Sequence, residues 1–209
     1  MLTEVYVWLT TKRESGIVAG KTKNGGESVK MRPKSKLYSM TTVAVMAAVL
    51  AVVSPFALFL GPVPVSLCTL GICLSAYALG GRRCVLAVLV YVLLGSAGMP
   101  VFSGFTGGAG KLLGPTGGYI LGYLLLAAVT GWTVEHSERR WIHAVGMAVG
   151  TALLYLLGTV WYCFQAGQEV NAAVSLCVLP FLPGDVVKIL CACVMGSSLR
   201  NKLEKAGLT

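Results

Sequence analysis

The chain has 209 residues, 56% of them hydrophobic and only 12% charged, about half the ~25% of an ordinary soluble domain, and its mean hydropathy is +0.76. Pro and Gly break the apolar material into several long blocks, so the composition excludes a soluble globular domain and indicates a polytopic membrane bundle. The formal net charge of +9 sits in short basic clusters at the ends of those blocks and forms no basic or aromatic stripe, so no nucleic-acid partner is expected.

In chain order, residues 1–36 are basic and rich in Gly, Ser and Lys, as in "KRESGIVAGKTKNGGESVKMRPKSK". They predict a disordered cytoplasmic tail, and Met31 is an alternative start. The apolar "VYVWL" within the tail is too short to span a bilayer and lacks the features of a signal peptide. Six apolar blocks follow, at about 37–60, 65–80, 84–98, 116–134, 141–163 and 184–199. They predict an all-α membrane domain of six transmembrane helices over residues 37–203, followed by a short cytoplasmic tail at 204–209.

The loops support that count. Arg82 and Arg83, Arg139 and Arg140, then Arg200, Lys202 and Lys205 fall on alternate connections, on the same side as the basic tail. By the positive-inside rule both termini are cytoplasmic.

Within the first block, "AVMAAVLAV" places Ala44 four residues from Ala48 and Ala47 four from Ala51. Such small ridges allow close helix approach, either inside the bundle or to another protein. The outward segment "GMPVFSGFTGGAGKLLGPTGGY", Gly98 to Tyr119, combines many glycines with Phe102, Phe105 and two leucines. A loop of that kind can cap a pocket or cradle an anion on main-chain N–H groups; equally, it can be a re-entrant turn that packs small residues. It is not a nucleotide-binding phosphate loop, because Phe105 stands where GxxxxGK[ST] needs glycine and Leu112 where it needs Ser or Thr.

His136 and His143 have no metal partners nearby in sequence, and Ser103 and Thr116 have no adjacent base, so neither a metal site nor an enzyme is expected. The seven cysteines lack metal-ligand spacing and read as small apolar packing residues.

The last block opens with "PFLPGDVVKILCACV", which carries Asp185 and Lys188 three residues apart on one face of the first helical turn. Burying either charge alone in hydrocarbon costs at least ~2.5 kcal/mol, which pairing reduces. A structural ion pair would explain them, and so would a ligand site, since intramembrane ionisable residues commonly mark a cavity.

On the long glycine-rich motif, on "PFLPGDVVK", and more weakly on "GTVWYCF" and "AVMAA", the chain from about Tyr38 to Leu203 resembles the BioY family, the biotin-specific substrate-binding (S) components of energy-coupling-factor (ECF) vitamin transporters. The resemblance implies a six-helix S-component bundle in the bacterial cytoplasmic membrane that binds biotin with high affinity and has no catalytic activity or cofactor. ATP would be hydrolysed by two partner ATPases joined through a transmembrane coupling protein, which would dock on Ala44 and Ala48. Asp185 and Lys188 fall on the family's acidic and basic biotin-associated positions, where they can satisfy the ureido group. Phe102, Tyr119 and Trp161 are candidate apolar walls. Thr116, with the loop glycines Gly104, Gly107, Gly108 and Gly117, completes the expected site, and the valerate carboxylate falls either to Lys111 or to the glycine N–H groups. A stand-alone proton- or ion-coupled carrier with Asp185 as its titrating group is the competing reading. No inverted repeat of the kind common in such carriers is evident.

Overall fold

The structure is a computed structural model that describes residues 36–58, 64–137 and 139–205. The expected basic tail, Met31 included, lies outside the described residues apart from Lys36, and so does the end of the chain after residue 205.

Each of the six apolar blocks contains one long helix: α1 (Lys36–Val53), α2 (Cys68–Leu79), α3 (Gly81–Ser96), α5 (Gly117–His136), α6 (Arg140–Ala166) and α8 (Leu182–Lys205). Two shorter helices occupy connections: α4 (Ala109–Leu113) in the glycine-rich segment and α7 (Val170–Cys177) in the segment before α8, which the sequence presents as a loop. That region becomes helical because Ala173 and Cys177, one turn apart, are buried where α7 packs on α6. Between α1 and α2 the chain makes a two-residue antiparallel pair, β1 (Ala57–Leu58) with β2 (Val65–Ser66), in the register Ala57 to Ser66.

Three of the helices, α5, α6 and α8, are long and apolar enough to cross a membrane, while α1 and α2 are shorter apolar helices. At 1.5 Å per residue the 18 residues of α1 rise about 27 Å and the 12 of α2 about 18 Å, against a hydrocarbon core of about 30 Å. The break between α2 and α3 falls at Gly80, whose φ of 75° only glycine adopts without strain.

Helix α5 is central and makes its largest interface with α6. Small residues make that interface close. A side chain at Gly118 would strike Trp161 and one at Gly122 would crowd Leu154, while from α6 Gly146 faces Thr133, Gly150 faces Leu126 and Gly158 faces the Tyr119 ring. With no hydrophobic drive between helices in lipid, this glycine-lined contact supplies dispersion energy through proximity. Around it, α3 and α2 pack on α5, α8 packs on α2, and α1 packs on α3. Leu50, Ile72, Tyr91, Phe102, Leu126 and Met147 are fully buried between them. Exposed Val145, Val149, Leu156 and Val160 on α6, and Val186, Val187, Leu190 and Val194 on α8, form apolar outer faces suited to lipid.

At the arginine-bearing end, side chains tie the helices together. Arg200 donates to the Val134 carbonyl at 2.5 Å, and Glu135 accepts the Gly81 N–H at 3.2 Å. The buried His143 donates from Nε2 to the Ser137 carbonyl at 2.8 Å, which leaves Nδ1 to accept from the Tyr77 hydroxyl at 3.2 Å.

Candidate ligand-binding site

The opposite end of the bundle collects the ends of α1, α3 and α6, the starts of α2, α5 and α8, and the glycine-rich segment. Direct bonds hold the parts together: Gly104 donates to the Pro55 carbonyl, Trp161 Nε1 to the Gly114 carbonyl at 2.9 Å, and Gln165 to the Leu113 carbonyl.

Asp185 and Lys188 are paired. Lys188 Nζ stands 3.1 Å from Asp185 Oδ1, and the two side chains are 14% and 10% exposed, Lys188 first. The other carboxylate oxygen, Oδ2, accepts a hydrogen bond from the Tyr155 hydroxyl on α6. Lys188 also donates to the Ser66 carbonyl at 2.9 Å and to Thr69 Oγ1 at 3.3 Å. An ammonium has three protons, and all three are now occupied. The carboxylate retains acceptor capacity, because each oxygen offers about two lone-pair positions and each accepts one hydrogen bond among the described residues.

From Lys188 a chain of polar contacts runs to the glycine-rich segment. Ser66 Oγ donates to the Ser54 carbonyl at 2.8 Å, and Ser54 Oγ lies 2.5 Å from the Tyr91 hydroxyl. Tyr91 donates its proton to the Val101 carbonyl at 3.2 Å, so Ser54 is the donor in the serine–tyrosine bond.

The glycine-rich segment is folded into the bundle. Phe102 and Thr106 bridge across a tight turn, and the Phe102 ring lies against Gly95 with 2% exposure. Gly108 turns the chain into α4 with a φ of 97°, while Gly107 packs against the Met99 carbonyl, where a side chain would collide. The N–H groups of Gly104, Gly108 and Gly117 donate to the carbonyls of Pro55, Gly95 and Gly114 at 3.0, 2.7 and 3.0 Å. They are therefore not open to an anion in this conformation. The sequence alternatives of pocket cap and packed re-entrant turn describe the same segment, which packs small residues and also walls a pocket.

Phe102, Lys111, Thr116 and Tyr119 line that pocket, together with Tyr91, Ser103 and Tyr123. Its volume is about 20 Å³, room for roughly one water. Asp185 and Lys188 do not line it; Asp185 stands behind it, held by Tyr155 and within electrostatic range of Tyr123. Trp161 does not line it either. Its ring packs on Gly118 and beside Gly117, and its N–H holds Gly114, so it braces the segment from outside. Among the described residues, no hydrogen-bond or charge partner is recorded for the Lys111 ammonium.

On α1 the two alanine ridges separate. Ala47 is 1% exposed and Ala51 packs against the core, whereas Ala44 and Ala48 lie on the exposed face.

Sequence reasoning left out Tyr91, Tyr123, Tyr155, Ser54, Ser66 and Thr69. The tyrosines did carry a signal. Each interrupts an aliphatic run ("LVYVLL", "LGYLLL", "LLYLLG"), and a hydroxyl at membrane depth needs a partner. Nothing local marks the serines and Thr69, whose partners are 119 or more residues away for Lys188 and 37 away for Tyr91.

A pocket with a cation, aromatic walls and a carboxylate behind it suits a small amphiphilic anion that also carries N–H donors. Comparison with known proteins points the same way. A profile of the BioY family matches residues 27–205. The biotin transporter BioY2 of Lactococcus lactis subsp. cremoris is 37% identical over 171 residues, 81% of this chain and 94% of that protein. The biotin transporter BioY of Thermotoga maritima is 42% identical over 146 residues, 69% of this chain and 85% of that one. Among solved structures, the crystal structure at 2.1 Å of the S-component for biotin from an ECF-type ABC transporter superposes with a TM-score of 0.72 at 26% identity, covering 82% of this chain and 95% of that one. The chain belongs to the BioY family.

Proposed function

We propose that this chain is a biotin-binding membrane subunit that takes biotin from outside the cell and is energised by ATP hydrolysis in partner subunits of an energy-coupling-factor transporter. The observation that carries the reading is the buried Asp185–Lys188 pair, fixed by Tyr155, Ser66 and Thr69 behind a pocket with aromatic walls and a lysine that has no partner among the described residues. The named relatives add to it.

In this scheme the remaining lone pairs of Asp185 accept the ureido N–H groups, and Lys188 holds the carboxylate in position. Phe102 and Tyr119 cover the bicyclic ring and the valeryl chain. Lys111 takes the valerate carboxylate, since the N–H groups of Gly104, Gly108 and Gly117 are already bonded. A cavity of about 20 Å³ is far below the ~300 Å³ at which ligand pockets begin, so the glycine-rich segment retreats as biotin enters. All six long helices cross the bacterial cytoplasmic membrane with both termini inside. The exposed Ala44 and Ala48 are the docking ridge for the coupling protein, on which two ATPases sit. The subunit needs no cofactor and performs no catalysis of its own.

Equilibrium binding of labelled biotin to the purified protein in detergent tests the reading. Saturable, tight binding that Asp185→Asn abolishes while the variant stays folded is the expected result; a well-folded parent that binds no biotin removes biotin as the ligand.

A further inference from the structure

Biotin's ureido group presents two N–H donors and one carbonyl acceptor. Asp185 can accept from the donors, but something else must donate to the carbonyl. Lys188 is the obvious candidate and is fully engaged: its three protons go to Asp185, the Ser66 carbonyl and Thr69. The Tyr155 hydroxyl proton goes to Asp185.

Of the three tyrosines that line the pocket, Tyr91 is bonded to Ser54 and Val101, and Tyr119 to Thr159 at 3.3 Å. Tyr123 is 8% exposed, and no partner for its hydroxyl is recorded among the described residues. Nor is that hydroxyl sealed in the core, because among the described residues no enclosed side-chain oxygen lacks a partner. It therefore opens onto the pocket that Tyr123 lines. On α5, Tyr123 stands one turn inward of Tyr119, about 6 Å deeper along the helix and on the same face. That depth is on the Asp185 side, away from Lys111 and Thr116 at the start of the segment. An open hydroxyl at this depth is a hydrogen-bond donor held in reserve, and leaving it unpaired once ligand excludes water would be unfavourable.

On the reading that biotin is the ligand, we propose that Tyr123 is a specificity-determining residue whose hydroxyl donates to the ureido carbonyl, while Asp185 accepts from the ureido N–H groups. Tyr123 thus distinguishes ligands by the acceptor strength at that one atom. Asp185 distinguishes them by the neighbouring donors.

The test compares biotin with its 2-thioxo analogue, which keeps both N–H groups but replaces the carbonyl by a poorly accepting C=S, on the purified full-length parent and on Tyr123→Phe. The parent should prefer biotin about tenfold, the ratio carried by one good hydrogen bond. Tyr123→Phe should bind biotin about tenfold more weakly, bind the analogue as the parent does, and so lose the preference. Its melting temperature without ligand should not change, because the hydroxyl has no internal bond to lose. The assignment is overturned if the variant keeps the preference, if it loses both ligands equally, or if it melts at a clearly lower temperature. A parent that binds biotin without preferring it overturns the assignment alone. A parent that binds no biotin overturns the ligand reading and the assignment with it.

Discussion

Replacing Lys188 by methionine separates the structural from the functional meaning of the charge pair. The substitution removes three bonds at once, at 2.9, 3.1 and 3.3 Å, and leaves the Asp185 carboxylate with Tyr155 as its remaining side-chain partner among the described residues. Both side chains are at least 86% shielded, so water cannot readily replace the ammonium. Removing one partner of a buried pair costs about 3–5 kcal/mol. At about 2–4 °C per kcal/mol for a chain of this size, the expected loss is on the order of 10 °C in melting temperature. Adding Asp185→Asn to Lys188→Met removes the uncompensated charge and should recover more than half of that loss, because a neutral amide can still pair with Tyr155. The assay is thermal unfolding in detergent, run beside binding of labelled biotin. Recovered stability without recovered binding is the expected pattern. A double variant that regains both would make the pair purely structural, and a single variant as stable as the parent would refute the burial argument.

The remaining predictions concern other parts of the site. Lys111→Met should weaken biotin binding about 10- to 100-fold, as expected for a charge-assisted bond, yet leave binding of uncharged biotinamide within about twofold; titrations with the two ligands check it. Gly158→Val should drive the added side chain into the Tyr119 ring, costing about 1–3 kcal/mol of packing and lowering biotin affinity through displacement of that wall, to be read from melting and binding together. Ala48→Trp, on the exposed face of α1, should leave biotin binding by the purified protein unchanged while abolishing ATP-dependent uptake in cells that carry the coupling protein and ATPases.

Much of the helical plan was legible because it is written in local terms. Apolar block length and the alternation of arginine pairs give six long helices, and most observed elements fall within a few residues of the expected blocks, although α1 stops at Val53, seven residues before the expected end of its block, where the chain turns into β1, and α8 runs on to Lys205. The short α7 was hidden because its signal is two small residues, Ala173 and Cys177, whose burial depends on α6. Asp185 and Lys188 stood out since charges are rare in an apolar run, and their pairing followed from i,i+3 spacing. Their supports did not stand out, because Tyr155, Thr69 and Ser66 meet them only through the tertiary fold. For Trp161 the sequence offered only an aromatic near the expected site; that its N–H reaches the Gly114 carbonyl, so that it also braces the segment, depends on the tertiary fold. For the glycines, sequence reveals freedom of the backbone but not that the N–H groups of Gly104, Gly108 and Gly117 are bonded within the chain.

The contacts around the charge pair have a physical logic of their own. Lys188 is anchored to the Ser66 carbonyl, Ser66 Oγ to Ser54, Ser54 to Tyr91, and Tyr91 to the Val101 carbonyl at the root of the glycine-rich segment. The serine–tyrosine chain thus links the root of the segment to β2 and the lysine. Each link is a net contribution of about 0.5–1.5 kcal/mol, small enough for a well-fitting ligand to replace. Together the links keep both charges satisfied whenever the site is empty, which an isolated carboxylate and ammonium at membrane depth could not be without large cost. The same network that stabilises the empty bundle also holds the carboxylate in one place with lone pairs to spare, as the proposed ligand site requires, so the ion-pair and ligand-site readings of Asp185 and Lys188 are compatible rather than opposed.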